Sequence, residues 1–270
     1  MELETLSLAS ENHIARVTLT RGPALNTMTP QFWEDMITAF EAIEADGSIR
    51  AVVLASTGKH FTAGLDLNSA GSLHGDEEDP ARQRAHFLTH VKRLQHSFTV
   101  IDQCRVPVIA AIHGGCIGGG VDLVTACDLR VAAEGSWFSI QEINVGIVAD
   151  VGTLQRAPHL LPQGILRELA YTGRRFPVEE AKTYGFVNRI ASDHEAAIAE
   201  AEALAAEIAS KSPVAMMGTK AVLNRGRGQS VEDGLDYVAV WNAAFLQGED
   251  MMEAIGSQMQ KRPAKFRDVA

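Results

Sequence analysis

Hydrophobic positions in the first half of the chain follow two alternating periods. Residues 13–20 switch between apolar and polar side chains, and residues 50–56 form a continuous apolar run that is typical of a strand covered on both faces. Residues 30–45 and 81–101 instead repeat apolar side chains at helical spacing. Further strands are predicted at residues 107–114, 128–133 and 137–140. This alternation predicts an α/β core over about the first 150 residues.

From Gly152 onward the pattern is almost entirely helical. The stretches 195–210 and 230–247 each place their apolar side chains on one face. The last helices carry more apolar surface than a thin appendage can bury. Core packing and subunit contact both remain open explanations for Leu235, Trp241, Phe245 and the segment 251–255. We divide the chain into an α/β core and a C-terminal helical region, at residues 1–195 and 196–270.

Composition narrows the possible functions. The 270 residues carry a net charge of −10 that is spread along the chain, which disfavours nucleic-acid binding as the main activity. Three cysteines are too few for a disulfide framework, so they are expected to be small buried residues. No apolar stretch is long enough to predict a membrane span, and the acidic N-terminus lacks the pattern of a signal peptide. A reducing, cytoplasmic location is the resulting expectation.

The candidate chemistry concentrates between His113 and Arg156. A glycine triplet, Gly118 to Gly120, stands at a helix entry, where glycine lets a ligand approach the backbone and the free N–H groups favour negative charge. A phosphate cradle and an oxyanion site could both use such a turn. The dinucleotide glycine pattern matches poorly and no Walker lysine follows, so an oxyanion site is the better interpretation. The bend at residues 63–66 is the candidate for a second N–H donor.

Three carboxylates belong to the same stretch: Asp122, Glu142 and Asp150. The apolar neighbours of the last two predict desolvation, which raises a carboxyl pKa toward the value that proton transfer at pH 7 requires. Helix capping, or ion pairing with Arg130 or Arg156, would explain any one of these acids alone. Three acids beside a glycine-built helix entry favour an acid/base site.

Other catalytic patterns are missing from the sequence. The nine histidines show no metal-ligand spacing, so no metal site is predicted. His113 follows an apolar strand and is expected to be a buried core histidine. No serine occupies a Gly-x-Ser-x-Gly turn.

Several motifs occur together along the chain. They are ALN at 24–26, AGLDL at 63–67, PVIAAIHGGCIGGGVDLVTACDLRVA at 107–132, QEINVGIVADVGTLQR at 141–156, and TGRRF, EEA and YGFVNRI between 172 and 190. Together they resemble the crotonase (enoyl-CoA hydratase/isomerase) superfamily over essentially the whole chain. The resemblance implies a spiral of ββα units with a C-terminal α-helical trimerisation region. It also implies assembly as a homotrimer or hexamer, and acyl-CoA thioester chemistry.

The resemblance implies a role for individual residues. Backbone N–H groups of Leu65 and Gly119 would form an oxyanion hole for the thioester oxygen. Hydratases use two glutamates where this chain has Asp122 and Glu142, and the shorter first acid argues against plain hydration. An acid at the place of Asp150 is similar to the Δ3,5-Δ2,4-dienoyl-CoA isomerase subfamily. By that resemblance Asp150 removes a proton near C2, Glu142 delivers one near C6, and Asp122 supports the site.

The resemblance also implies how the acyl-CoA substrate is held. One group of contacts would come from Asn26, Ala63, Gly64, Leu65 and Asp66. Contacts to the nucleotide, from the same or a neighbouring subunit, would come from Lys261, Lys265 and Phe266. CoA is part of the substrate, so no separate cofactor is expected, and neither is a nucleic-acid or membrane partner. The alternatives are a 2-enoyl-CoA hydratase in which Asp122 and Glu142 orient water, and a non-catalytic acyl-CoA-binding or RNA-associated member.

Overall fold

The computed structural model of the chain describes residues 1–68 and 79–269. A large mixed sheet lies at its centre, built from β1 (Leu6–Glu11), β2 (Ile14–Leu19), β3 (Ala51–Ser56), β4 (Val108–Ile112), β6 (Leu129–Ala133) and β9 (Arg189–Ala191). The strands lie in the order β1-β2-β3-β4-β6-β9. β1 and β2 are antiparallel, and each other neighbouring pair is parallel. Because helices cover both faces, every residue of β3 and β4 is buried.

A second, smaller sheet carries the chain away from the first. It consists of β5 (Gly115–Ile117), β7 (Trp137–Ser139) and β8 (Phe176–Pro177), in the order β5-β7-β8. β5 begins three positions after β4 ends and pairs in parallel with β7. The chain therefore leaves the large sheet and delivers the glycine triplet at the end of β5.

Helices make up most of the remaining described structure. Their bounds are α1 (Pro30–Ala45), α2 (Pro80–Gln103), α3 (Gly119–Ala126), α4 (Thr153–Arg156), α5 (Gln163–Thr172), α6 (Val178–Thr183), α7 (His194–Ala209), α8 (Pro213–Gly226), α9 (Val231–Phe245) and α10 (Glu249–Met259). Short 3-10 helices lie at Gly22–Ala24, Glu142–Val145 and Ala157–His159.

The two faces of the large sheet have different cores. One face packs beneath α1, α2 and α3, with large side chains such as Phe32, Phe40 and Phe98 fully buried or nearly so. The other face is covered by α7, which presents an alanine at every fourth position. Ala197, Ala201 and Ala205 have no exposed surface, so this helix lies close to the strands.

The predicted α/β core is confirmed, with differences at its edges. β1 was not predicted, because its residues 6–11 hold only two large apolar side chains at the edge of the sheet. Thr29 is the N-cap residue of α1, as its position before Pro30 predicts, but its hydroxyl makes no capping hydrogen bond. The polar, acidic and glycine-rich sequence of residues 68–80 predicts a surface loop, but most of it, residues 69–78, lies outside the described residues. The division at residue 195 stays a prediction, and α7, which begins at His194 and spans this point, packs on the sheet.

The C-terminal helices α9 and α10 leave apolar surface exposed in the single chain. Exposed side chains on them include Leu235, Val240, Phe245, Met252 and Ile255. No residue of α9 is buried. Within the described residues, no helix combines the length and the apolar character needed to cross a membrane.

The cysteines and His113 are placed as the sequence predicts. Cys104, Cys116 and Cys127 are free and buried. Burial raises the pKa of the Cys104 and Cys127 thiols to about 12, which leaves them un-ionised and unreactive at neutral pH. His113 is also buried, and desolvation lowers its pKa to about 4.

Candidate active site

Two backbone turns meet where the small sheet joins α3. The segment after Phe61 pairs on one side with β5, through Thr62 and Cys116, and on the other side with Met28, through Leu65. Gly64 has a φ of +79°, and a Cβ built on it would lie 2.6 Å from the Ile117 carbonyl oxygen. The same Cβ would lie 3.3 Å from the Gly119 nitrogen. The turn at Gly64 and the start of α3 are therefore in direct contact, and the contact requires glycine.

This junction leaves two backbone donors unused. Asp66 N–H donates to the Met28 carbonyl, and Gly118 N–H donates to the Ser139 carbonyl. The neighbouring residues Leu65 and Gly119 each have a backbone N–H group that donates to no acceptor within the described residues. Gly119 is the first residue of α3, where the helix dipole also favours negative charge. The arrangement can hold a developing oxyanion with two N–H donors.

Asp122 lies in the first turn of α3 and has no exposed surface. Its Oδ1 accepts a hydrogen bond of 2.6 Å from Thr153 N–H, while Oδ2 is buried without a partner. Desolvation is the main cause that raises the pKa of this carboxyl to about 6, and the Thr153 hydrogen bond opposes it. Asp122 thus ties α3 to the start of α4.

Glu142 lies just beyond β7, at the start of a 3-10 helix that ends at Gly146. Its Oε1 would lie 3.3 Å from a Cβ built on Gly118, so the carboxyl lies against the glycine turn. Its Oε2 is buried and has no hydrogen-bond partner. Desolvation, followed by repulsion from Asp122, raises the pKa of Glu142 to about 7. This carboxyl can hold or release a proton at neutral pH.

Asp150 lies at the far end of the loop that begins at Glu142. Its side chain is exposed, although its chain neighbours Ala149 and Val151 are buried. Its pKa is raised, chiefly by desolvation, and the nearby His90 on α2 opposes the rise. Its backbone carbonyl accepts a 2.7 Å hydrogen bond from Gln95 Nε2, also on α2. Ile147 and Val148 were expected to give Asp150 an apolar environment. That expectation is wrong for these two residues, because both side chains are exposed to solvent.

The three acids influence one another, but none of them has an ion-pair partner within residues 1–68 and 79–269. Repulsion from Asp122 and from Asp150 contributes to the raised pKa of Glu142. Arg130 donates instead to the carbonyls of Phe186, Val124 and Cys127. Arg156 lies 3.9 Å from Asp102 and donates to the Val151 carbonyl. In the described parts of the chain, the structural explanation by ion pairing therefore fails for all three acids.

Comparison of the amino-acid sequence with known proteins identifies the family of the chain. A sequence model of the enoyl-CoA hydratase/isomerase family matches residues 9–269. The chain belongs to this family. It is 44% identical over 266 residues to the mitochondrial Δ(3,5)-Δ(2,4)-dienoyl-CoA isomerase of Homo sapiens, covering 97% of this chain and 81% of that protein. It is 41% identical over 267 residues to the peroxisomal protein of the same name from Arabidopsis thaliana, covering 98% and 96%.

Solved structures show the same fold. An enoyl-CoA hydratase from Bacillus anthracis superposes with a TM-score of 0.88 at 29% identity, covering 97% of this chain and 99% of that one. The chain therefore has the crotonase fold, as the sequence predicts, and is an enzyme of the enoyl-CoA hydratase/isomerase family. The relatives from Homo sapiens and Arabidopsis thaliana are named as mitochondrial and peroxisomal proteins, so they lend no support to the cytoplasmic expectation.

The residues predicted to hold CoA fall into two groups in this family member. Asn26 is buried, with a φ of +51°, and its side-chain amide donates to the carbonyls of Thr57 and His60. It thus fixes the loop that leads to Ala63 and Gly64. Asp66 accepts a hydrogen bond from the Thr27 hydroxyl, and its pKa is lowered, mainly by the Asn68 backbone N–H.

The C-terminal group lies elsewhere in the chain. Lys261 and Lys265 are exposed, and Lys265 N–H donates to Glu253 on α10. The Phe266 carbonyl accepts from Arg50, beside β3. In the described residues no hydrogen bond or ion pair joins this group to the three acids, and a nucleotide contact from here stays a prediction.

Two residues near the acids were not predicted from the sequence. Thr153 donates its backbone N–H to the Asp122 carboxylate, and Gln95 donates its side-chain amide to the Asp150 backbone carbonyl. Each bond therefore has a backbone group as one partner. Such bonds leave no motif, because any backbone group can serve as the partner. No group of three or more His, Cys, Asp or Glu within the described ranges could hold a metal ion.

Proposed function

We propose that the protein is an isomerase that converts 3,5-dienoyl-CoA to 2,4-dienoyl-CoA. The observation that carries this proposal is the unequal placement of the three acids. Asp122 is enclosed and bound to Thr153 N–H, whereas Asp150 is exposed and Glu142 has one unpartnered oxygen beside the glycine turn. Two acids are thus available to a substrate, and they lie at opposite ends of the 142–150 loop.

The reaction begins at the thioester. The Leu65 and Gly119 N–H groups bind the thioester oxygen, and one such donor contributes roughly 3–4 kcal/mol to the stability of the transition state. The Asp150 carboxylate takes a proton from C2. The electron pair of that C–H bond moves onto the thioester carbonyl and along the two double bonds, giving an extended dienolate.

The second proton transfer completes the double-bond shift. Glu142, about half protonated at pH 7 because its pKa is raised to about 7, gives its proton to C6. The double bonds then lie at C2 and C4 and the thioester carbonyl is restored. Asp150 ends the turnover protonated and Glu142 ends it ionised, so a proton must return from Asp150 to Glu142 before the next cycle.

Hydration of a 2-enoyl-CoA fits the site less well. That reaction needs two acids around one water molecule, and the hydratase alternative assigns them to Asp122 and Glu142. Asp122 has no exposed surface and its Oδ1 is engaged by Thr153 N–H. The relatives named dienoyl-CoA isomerase are also more similar, at 38–44% identity, than a probable enoyl-CoA hydratase of Bacillus subtilis at 30%.

Ultraviolet absorbance tests the proposal directly. The protein is incubated with a 3,5-dienoyl-CoA and, separately, with a 2-enoyl-CoA. We expect the absorbance of a conjugated 2,4-diene to appear with the first substrate. Rapid hydration of the second substrate without any diene signal from the first would refute the isomerase assignment.

Asp150→Asn examines the base. This variant should lose at least about 100-fold in kcat, because general-base catalysis typically contributes a factor of 10²–10⁴. Its affinity for the substrate should change little, since the oxyanion donors are backbone groups. Asp236→Asn, at an exposed position of α9, is the matched control. Unchanged turnover in Asp150→Asn would remove Asp150 from the mechanism.

A further inference from the structure

The segment 150–153, which carries the proposed base and ends on the first residue of α4, is held by contacts from three sides. Thr153 N–H donates to Asp122 Oδ1 at 2.6 Å. Arg156 Nη1 donates to the Val151 carbonyl at 3.2 Å. Gln95 Nε2 donates to the Asp150 carbonyl at 2.7 Å. These three hydrogen bonds determine where the peptide of Asp150 lies.

The three contacts differ in what they contribute. Arg156 belongs to the helix that follows directly, so its bond is local. Asp122 fixes Thr153, which lies at the far end of the segment, three positions after Asp150 in the chain. Gln95 acts on the peptide of Asp150 itself and connects it to α2, a different part of the fold. It is therefore the contact most directly able to set the direction of the Asp150 side chain.

α2 is a suitable anchor at this point. Phe98 and Ile101, one to two turns beyond Gln95, have no exposed surface. Arg93, two positions before it, pairs with Glu34 on α1. By contrast, the loop on the other side of the hydrogen bond exposes Ile143, Val145, Ile147 and Val148. A fixed helix thus restrains a loop that has few buried side chains of its own.

We propose that Gln95 is a positioning residue for Asp150. Its amide N–H fixes the Asp150 peptide and thereby aims the carboxylate at C2 of the substrate, without touching the reacting atoms. A proton-transfer group loses efficiency when its position shifts by about 1 Å, so the effect falls on kcat. The inference rests on the proposed function for the reaction, but the contact itself can be measured without substrate.

Three substitutions separate the hydrogen bond from shape. Gln95→Leu removes the donor, and Gln95→Glu keeps the shape but turns an acceptor toward the Asp150 carbonyl. Both should lower kcat about tenfold, with KM within about twofold of the parent, because substrate contacts stay in place. Gln95→Lys supplies a new N–H donor and should recover kcat to within about threefold. The positive charge of the new lysine should also lower the pKa of Asp150. The loss of activity on the acid side of the pH profile, which we assign to protonation of Asp150, should therefore move to lower pH.

Gln103→Leu is the matched control, since Gln103 is exposed at the end of the same helix. It should leave kcat and KM unchanged. If Gln95→Leu retains the parent's kcat, or if Gln95→Lys fails to restore the activity that Gln95→Leu loses, the positioning role is wrong.

Hydrogen exchange of the backbone amides at 151–153 gives a readout without substrate. Gln95→Leu and Gln95→Glu should increase exchange at these amides several-fold, whereas Gln95→Lys and Gln103→Leu should not. Equal exchange in the parent and in Gln95→Leu would overturn the inference, whatever reaction the enzyme catalyses. Increased exchange in a protein that does not isomerise 3,5-dienoyl-CoA would uphold the positioning of Asp150 and reject only the proposed reaction.

Discussion

At the scale of single residues, the acids differ in how much water each has lost. Asp122 is enclosed, Glu142 is mostly buried, and Asp150 is exposed on one side. Desolvation raises the pKa of all three, to about 6 for Asp122 and about 7 for Glu142. A base must be ionised and an acid protonated at the same pH. The proposed donor role of Glu142 agrees with these values, because its pKa of about 7 lies above the pKa of about 6 for Asp122.

The pH dependence of kcat/KM should follow from this order. The pKa of Glu142 is raised from 4.5 to about 7, so its neutral, proton-donating form is present below pH 7 and is lost as the pH rises through 7. We expect kcat/KM for a 3,5-dienoyl-CoA to fall on this alkaline side. An acid limb at lower pH should report protonation of Asp150, and the limbs belong to the coupled acids together.

Glu142→Gln checks that assignment. It should lower kcat by about 10²–10⁴, since it removes a general acid. The alkaline limb near pH 7 should also disappear from its residual activity. A parent rate that still rises through pH 8 would show that Glu142 does not act as the proton donor.

How far the sequence predicts these residues depends on what surrounds them. The three acids could be singled out because each stands beside apolar or glycine neighbours. Their different burial could not, because Ile147 and Val148 precede Asp150 yet are exposed. Exposure here depends on the path of the loop from Gly146, and neighbours in sequence do not specify that path.

At the scale of elements, the site depends on how two turns fit against each other. Gly64 approaches the Ile117 carbonyl so closely that a Cβ has no room. The sequence predicts the two turns, from residues 63–66 and the glycine triplet, as candidates for one oxyanion site, and the family resemblance names Leu65 and Gly119 as the donors. The strands β3 and β4 were predicted because their apolar runs are continuous, and β6 was predicted although Arg130 interrupts its run. β5, β8 and β9 were missed because two or three residues are too few to show a period.

Gly64→Ala should separate steric crowding from backbone strain. Its φ of +79° alone costs an alanine about 1–2 kcal/mol. The added clash with the Ile117 carbonyl should raise the cost further and displace the Leu65 N–H, so kcat should fall at least about 100-fold. Gly185→Ala is the matched control, because Gly185 has a φ of +81° and open space around it.

Chemical denaturation and turnover measure the two variants. In Gly185→Ala the free energy of unfolding should fall only by the cost of the backbone strain, and kcat should equal that of the parent. Equal losses of stability and of activity in both variants would show that the close approach at Gly64 has no role in the site.

At the scale of the whole molecule, the C-terminal helices carry apolar surface that one chain does not cover. The sequence predicts the excess, and the structure resolves part of the ambiguity. Leu235 and Phe245 are more than half exposed, so core packing does not account for them. No pattern in the sequence could decide this, since a helical face has the same period whether its partner belongs to the same chain or another.

We therefore expect the protein to form a trimer or a hexamer in solution, which sedimentation equilibrium would measure. Leu235→Glu and Phe245→Glu should weaken association at least about tenfold, because each would bury an unpaired charge in an interface. Tyr171→Glu, at an exposed position of α5, is the control and should leave the mass unchanged. A monomeric parent would contradict the expectation.

The two unused N–H groups of Leu65 and Gly119 belong to the main chain, whereas the groups that move protons are side chains. Under the proposed mechanism, activation of the thioester and the fate of the resulting carbanion are thus encoded separately in the gene. We then expect codon changes at 122, 142 or 150 to redirect the second without erasing the first. New reactions on the same class of substrate are then only a few substitutions away, and each intermediate variant can still stabilise an enolate.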